Sequence, residues 1–119
     1  MQIKIYQISP HRDKKNVMFL GFEELQELKG IETIDFDIYD TAFCGDVDCV
    51  SLEDIFTTFN LDHPDVYKGR SLSVSDIIEV VENTDNISKG FYFCDLCGFA
   101  KITPTKNEYE KTVWIKQSN

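Results

Sequence analysis

The sequence has almost no positive charge in its middle third, and this absence is its most informative feature. No Lys or Arg occurs in the 38 positions between Lys29 and Lys68, which account for the whole net charge of −9. Such a field repels phosphates, so we expect no direct binding of nucleic acid. It attracts basic surfaces within a Debye length of about 10 Å. The ten carboxylates of this stretch are Glu32, Asp35, Asp37, Asp40, Asp46, Asp48, Glu53, Asp54, Asp62 and Asp65.

Long hydrophobic runs are also missing. No run of 18 apolar residues could form a membrane-spanning helix, and the opening segment MQIKIYQIS lacks the apolar block of a signal peptide. We therefore expect a cytoplasmic protein that does not bind membranes, with its cysteines reduced.

The sequence contains no Gly-x-Ser-x-Gly elbow and no glycine run that could form an oxyanion hole. A small hydrolase site around His63 and Ser73, with Asp65 and Arg70 nearby, is the alternative that remains open. The favoured interpretation is that these hydroxyls and carboxylates satisfy backbone N–H groups in a tight loop. His11 is a lone loop histidine to which we assign no role.

Four cysteines in two pairs raise the question of a zinc site, because four thiolates can close a tetrahedron. The sequence around them argues against zinc: Cys94 lies in the alternation of an aromatic strand, and neither pair has the Gly and basic neighbours of a zinc knuckle. We predict no metal and no cofactor. The metal candidates, if any, are Cys44, Cys49, Cys94 and Cys97.

The first third of the chain predicts strand, strand and helix. Residues 2 to 8 alternate as a strand, and the apolar run VMFL at 17 to 20 predicts a second strand that pairs with it as a hairpin. Phe22 to Leu28 has helical spacing, and Gly30 is a suitable stop.

The rest of the chain predicts one more helix and several short strands. Period-2 alternation from Glu32 to Tyr39, continuing to Cys44, predicts a strand with one acidic wet face. Leu52, Ile55, Phe56 and Phe59 form one helical stripe, started by Ser51 and ended at Asn60. The β-branched run 77 to 81 favours a strand, which is predicted to form a hairpin with 91 to 94. A further strand is expected at 98 to 102. The segment 113 to 115 is expected to form an edge strand or a helical turn.

These elements predict an α+β fold in one domain over residues 1–119, with a core at 2–103 and a tail at 104–119 that packs on or extends the sheet. We expect an antiparallel or mixed sheet of about five strands, with two or three short helices packed on one side.

Several strings of the sequence resemble the YodL-like family, from Ile3 to Ile102. They are IYQI at 5 to 8, LEDIFTTFN at 52 to 60, HPDVYKGRSLSVSDII at 63 to 78, YFCD at 92 to 95 and GF at 98 and 99. The family comprises small domains of Gram-positive bacteria, their phages and conjugative elements, often embedded in large multidomain proteins. It carries no established catalytic residues that could be transferred, and three of the four cysteines (Cys44, Cys49 and Cys97) are outside its pattern. The resemblance implies a mobile-element setting, in which small acidic proteins often act by binding another protein.

We therefore predict a non-enzymatic accessory protein that binds a basic protein partner. In the sharpest form of this hypothesis it is an antidefence inhibitor that mimics nucleic acid and occupies the basic cleft of a host nucleic-acid-binding protein; a purely structural scaffold domain is a further alternative. The predicted acidic face is Glu32, Asp35, Asp37, Asp40, Asp46 and Asp48. The loop motif, structural or binding, is Asn60, His63, Pro64, Asp65, Gly69, Arg70, Ser71, Ser73, Ser75 and Asp76.

Overall fold

The computed structural model describes residues 1–67 and 69–117, and most of its regular secondary structure is strand. One of its two α-helices follows the first strand, and the other precedes a run of four strands. A short 3-10 turn, Phe36–Ile38, separates two of the strands. The elements are β1 (Gln2–Ile8), α1 (Phe22–Lys29), β2 (Thr33–Asp35), β3 (Tyr39–Asp46), α2 (Leu52–Leu61), β4 (Ile77–Val80), β5 (Gly90–Cys94), β6 (Phe99–Lys106) and β7 (Thr112–Lys116).

The strands form a single curled sheet in the order β2-β7-β6-β5-β4-β1-β3, and every neighbouring pair is antiparallel. β4 to β7 follow one another as a meander, and β1 closes against β4. The predicted fold of about five strands was wrong, because the acidic segment after α1 supplies two strands, β2 and β3, and the segment around 113 to 115 forms a full strand, β7. The protein is mostly sheet, with two short helices among the described residues.

The two helices pack on opposite faces of the sheet, whereas the sequence predicted helices on one side. Alternate residues of β1 enter different apolar clusters: Ile3 and Ile5 meet α2 in one, and Tyr6 and Ile8 meet α1 in the other. Because successive side chains of a strand point to opposite faces, the central strands are apolar on both sides. Each face of the sheet is therefore buried by a different helix, one by α2 and the other by α1.

The segment 17 to 20 is not a strand, so the predicted hairpin with β1 was wrong. Both carboxylate oxygens of Asp13 accept backbone hydrogen bonds, from Val17 N at 2.9 Å and Met18 N at 3.0 Å. Asn16 and Phe19 have positive φ angles of 55° and 70°. These turns bend the chain away from an extended path, although the four residues are apolar.

The acidic segment after α1 is interrupted twice, whereas the sequence predicted one continuous strand. The 3-10 turn separates β2 from β3, and Phe36 in this turn packs against Trp114, with ring centroids 4.9 Å apart. Within β3 the register shifts so that Ile5 faces Phe43 and Tyr6 faces Thr41, which leaves Ala42 as an extra residue. This bulge sends Phe43 and Tyr39 to opposite faces of the sheet.

The segment 113 to 115 forms part of β7, which lies inside the sheet between β6 and β2 rather than at an edge. Trp114 has no exposed surface, and Tyr6, Phe36, Tyr39 and Phe91 surround it. The last two residues of the predicted tail, 118 and 119, lie outside the described residues. Among those described, no helix has the length and apolar character needed to span a bilayer.

Candidate functional site

The carboxylates of the predicted acidic face separate into two groups along β3. Asp40 and Asp46 lie near opposite ends of this strand, about 20 Å apart at 3.3 Å per residue. That separation is more than twice the Debye length of about 8 Å at physiological ionic strength, so the two groups act as separate fields. Asp40 and Asp46 therefore do not belong to one compact cluster of carboxylates.

At the Asp40 end, cations from both ends of the chain meet the carboxylates. Lys15 Nζ is 3.9 Å from Asp35 Oδ2, and Lys111 Nζ is 3.8 Å from Asp37 Oδ2. Arg12 bonds Asp40 and also donates to the carbonyl oxygens of Asp37 and Tyr39. These pairs are exposed, so each adds less than about 1 kcal/mol of stability, but each offsets a negative charge. We call Asp35, Asp37 and Asp40 with their cations the paired end.

At the Asp46 end, three carboxylates lie near the amino group of Met1, those of Asp46, Asp48 and Glu82. Its nitrogen donates to Asp46 Oδ1 at 2.9 Å, and this hydrogen bond, together with the nearby charges of Asp46, Glu82 and Asp48, raises the pKa of the ammonium. Glu53 and Asp54 follow Asp48 in the chain, in the first turn of α2, where Asp54 Oδ2 accepts from Val50 N at 3.1 Å. The acidic end, as we define it, consists of Asp46, Asp48, Glu53, Asp54 and Glu82.

The acidic end has fewer neutralising partners than the paired end, since the ammonium of Met1 is the cation that pairs there, with Asp46. Within residues 1–67 and 69–117, no Lys or Arg side chain lies within ion-pair distance of its five carboxylates. Two exposed apolar side chains adjoin them, Val50 at 60% and Val81 at 37% exposure. Glu82 was missing from the predicted face because it lies more than thirty residues along the chain from Asp48.

The loop motif is tied to β1 through the side chain of Gln7. Its Nε2 donates to Asp76 Oδ2 and to the carbonyl oxygen of Arg70, each at 3.0 Å, and its Oε1 accepts from Arg70 N at 3.1 Å. Tyr67 OH also donates to the carbonyl oxygen of Arg70, and the Arg70 guanidinium donates to the Ile8 carbonyl oxygen at 3.1 Å. These bonds are internal, as expected of a loop held in one conformation.

Gln7 was not among the predicted residues, although the sequence contains a signal for it. Gln7 continues the row of Ile3 and Ile5, so one amide interrupts an otherwise apolar face of β1. It is 4% exposed, and a buried amide requires hydrogen-bond partners. The interruption indicates that Gln7 makes a buried polar contact. It does not indicate that the partners of Gln7 lie more than sixty residues away in the chain.

Asp76 is the buried charge of this network, with 1% of its surface exposed. Oδ2 accepts from Gln7 Nε2 and from Ser73 N at 2.9 Å, whereas Oδ1 has no hydrogen-bond partner among the described residues. Burial raises the pKa of the carboxyl to about 6, against the hydrogen bonds that lower it. Asp76 therefore changes charge within the range of mildly acidic solutions.

The remaining motif residues make local contacts. Tyr39 OH donates to the carbonyl oxygen of Ser75 at 2.7 Å, and Ser75 Oγ accepts from Phe19 N at 3.0 Å. Ser73 Oγ donates to the carbonyl oxygen of Ser71 at 3.3 Å. Asn60 Nδ2 donates to the Leu72 carbonyl at 3.3 Å, Tyr67 N donates to that of Pro64 at 2.9 Å, and Asp65 is exposed.

His63 does not meet a serine or a carboxylate in the described part of the chain. Its ring is exposed, Nδ1 lies 3.1 Å from the carbonyl oxygen of Pro64, and the ring packs edge-on against Tyr67. Ser73 and Asp76 bond each other and the loop backbone instead. The geometry therefore contains no nucleophile and base within hydrogen-bond reach around His63.

The four cysteines are dispersed over the fold. Cys44 is exposed on the edge strand β3 and Cys94 is buried on β5, three strand spacings away, or about 14 Å. Four thiolates around one zinc ion need sulfur atoms within about 4 Å of one another. Among the described residues, no three His, Cys, Asp or Glu side chains form a group that could hold a metal ion.

Comparison with known proteins supports one relationship. The family model described as "YodL-like domain" matches residues 2–104 of this chain. Neither the curated proteins nor the solved structures contain a match.

Proposed function

This chain belongs to the YodL-like domain family, and we propose that it is a non-enzymatic binding protein whose acidic end meets a basic protein partner. The observation that carries the proposal is the contrast between the two ends of β3. A Lys or Arg of this chain faces each of the three carboxylates at the paired end. At the acidic end the Met1 ammonium pairs with Asp46, and the other four carboxylates have no ion-pair partner among the described residues.

Two features of the acidic end suit protein binding. Its carboxylates accelerate encounter with a basic surface, because complementary potentials steer association. Val50 and Val81 supply exposed apolar area beside the charges, and a partly apolar centre with a polar rim is the usual composition of an interface.

A narrower form of the proposal is that the acidic end imitates a phosphate backbone. In the mobile-element setting that the family suggests, the partner would be a host nucleic-acid-binding protein, and the protein would act as an antidefence inhibitor. The imitation would involve the acidic end rather than the whole stretch from Glu32 to Asp65, because three carboxylates of that stretch face cations at the paired end. DNA that competes with this protein for the partner would support this form.

The test compares charge reversal at the two ends. The variant Asp48→Lys/Glu82→Lys alters the acidic end, and the control Asp35→Lys/Asp37→Lys makes the same change of charge at the paired end. Each tagged protein is used to purify partners from the native host, and the partner identified with the wild type is then produced separately. Its affinity for all three proteins is measured by titration at several salt concentrations.

We expect reversal at the acidic end to weaken binding about tenfold at low salt, and the control to weaken it much less. Wild-type affinity should fall as salt rises toward about 0.15 M. Binding that is insensitive to salt, or weakened equally by the two double variants, would contradict the proposed surface.

A structural scaffold domain is the second candidate, favoured by the internal bonding of the loop motif. Three side-chain atoms of the network, Gln7 Nε2, Gln7 Oε1 and Asp76 Oδ2, bond the loop or each other. If this is the whole role of the motif, Arg70→Ala and Ser73→Ala will lower the free energy of unfolding and leave the affinity of the folded protein for any partner unchanged.

A further inference from the structure

A cleft opens at the paired end, about 20 Å along β3 from the acidic end, and the proposed function does not use it. It lies between the loop that follows β1 and the segment from the end of α1 to the start of β3, and its volume is about 230 Å³. The floor is apolar and belongs to the core cluster beneath α1. The floor residues are Ile8, Val17, Leu25, Ile34, Ile38 and Phe93.

The mouth of the cleft carries three cations from one short segment, Arg12, Lys14 and Lys15. The guanidinium of Arg12 is already bonded to the wall of the cleft, where it donates to Asp40 and to two carbonyl oxygens. Lys15 lies 3.9 Å from Asp35, at the outer limit of an ion pair, and is exposed enough to turn toward a ligand. Lys14 has no ion-pair partner among the described residues.

The carboxylates at the mouth are already engaged. Both oxygens of Asp13 accept backbone N–H groups, Asp35 faces Lys15 at 3.9 Å, and Asp37 faces Lys111 at 3.8 Å. Among the described residues, the ammonium at the mouth without a carboxylate in ion-pair distance is therefore that of Lys14, and Lys15 can join it by turning away from Asp35. In a chain of net charge −9, this is a local site for an anion above an apolar floor.

We propose that this cleft binds a small amphipathic carboxylate, with its apolar chain on the floor and its carboxylate at Lys14 and Lys15. At about 30 Å³ per water-sized group, the volume accommodates about seven or eight methylene-sized groups. A medium-chain fatty acid has that size. An apolar body held by a few convergent polar groups is the usual composition of a small-molecule site.

The probe is octanoate, added to the full chain and followed by amide chemical shifts in two-dimensional NMR and by the melting temperature. Octylamine has the same chain with the opposite charge, and acetate has the charge without the chain. We expect octanoate to shift the amides of Thr33, Ile34 and Tyr39 saturably and to raise the melting temperature, because it binds only the folded protein. Octylamine and acetate should do so much more weakly.

Two variants test the two halves of the site. Lys14→Glu should weaken octanoate binding about two- to fivefold, the range of an exposed ion pair, whereas the control Lys89→Glu on a distant loop should not. Ile31→Trp, at a half-buried position of the wall, should fill the cleft and abolish binding while the chain stays folded. Octylamine binding as tightly as octanoate, no saturable binding of octanoate, or unchanged binding in both variants would each overturn the proposal.

Discussion

Stability should rise as the solution is acidified from neutral pH, because of Asp76. Burial raises the pKa of this carboxyl from 3.8 to about 6 in the folded protein, so the folded state takes up a proton before the unfolded state does. At neutral pH both states are charged, and the folded state bears the cost of a buried charge. As pH falls through 6 that cost is removed, and below about 4 the unfolded chain is protonated too.

The size of the effect follows from the shift in pKa. About two units at 1.36 kcal/mol each give a contribution of about 3 kcal/mol to the free energy of unfolding, gained between about pH 6 and pH 4. The arrangement around the carboxylate is consistent with this cost, since Oδ1 has no partner among the described residues and Oδ2 accepts two hydrogen bonds.

The assay is urea unfolding at a series of pH values, followed by the fluorescence of Trp114, the single tryptophan of the chain. The wild type is compared with Asp76→Asn, which cannot ionise at this position and can retain an acceptor toward Gln7. The difference between the two free energies of unfolding removes most contributions of other carboxylates. Between pH 8 and pH 4, the free energy of unfolding of the wild type should rise by about 3 kcal/mol relative to that of Asp76→Asn.

The control is Asp62→Asn, which removes an exposed carboxylate at the end of α2 and should leave the wild-type profile unchanged. A difference between wild type and Asp76→Asn that stays constant with pH would refute the reasoning. So would a wild type that loses stability relative to the variant on acidification.

Three further outcomes are expected. Gly69→Ala should lower the free energy of unfolding by about 1–3 kcal/mol, since an added Cβ would lie 2.6 Å from Gln7 Oε1. Chemical denaturation measures this change. The control is Ser71→Ala, because Ser71 is exposed on the same loop. Ser51→Ala should lower the free energy of unfolding by about 1 kcal/mol in the same assay, because Ser51 Oγ caps α2 by accepting from Asp54 N at 3.0 Å. An unchanged free energy of unfolding would show that the cap is dispensable. A thiol reagent should modify two cysteines rapidly in the native protein and four after denaturation; rapid modification of all four would contradict the described burial. The fast pair is Cys44 and Cys97, and the protected pair is Cys49 and Cys94, of which Cys94 has its pKa raised by burial.

Signals that act within a few residues were sufficient to predict several elements. Ser51 caps α2 as expected, Gly30 ends α1 in the left-handed conformation, and the β-branched run after Asp76 is a strand. Family membership was also visible in the sequence, because the strings that carry it are contiguous. In each case the determining contacts are between near neighbours in the chain, so their spacing is recorded directly in the residue order.

The tertiary structure alone decided the order of seven strands, the bulge at Ala42 and the division of the acidic stretch. A stretch without cations predicts a negative surface only if no cation arrives from elsewhere, and Arg12, Lys15 and Lys111 arrive from the two ends of the chain. Strand register brings together residues such as Gln7 and Asp76, 69 positions apart. Local patterns contain no information on such pairings, because they depend on which strands lie side by side and in which register.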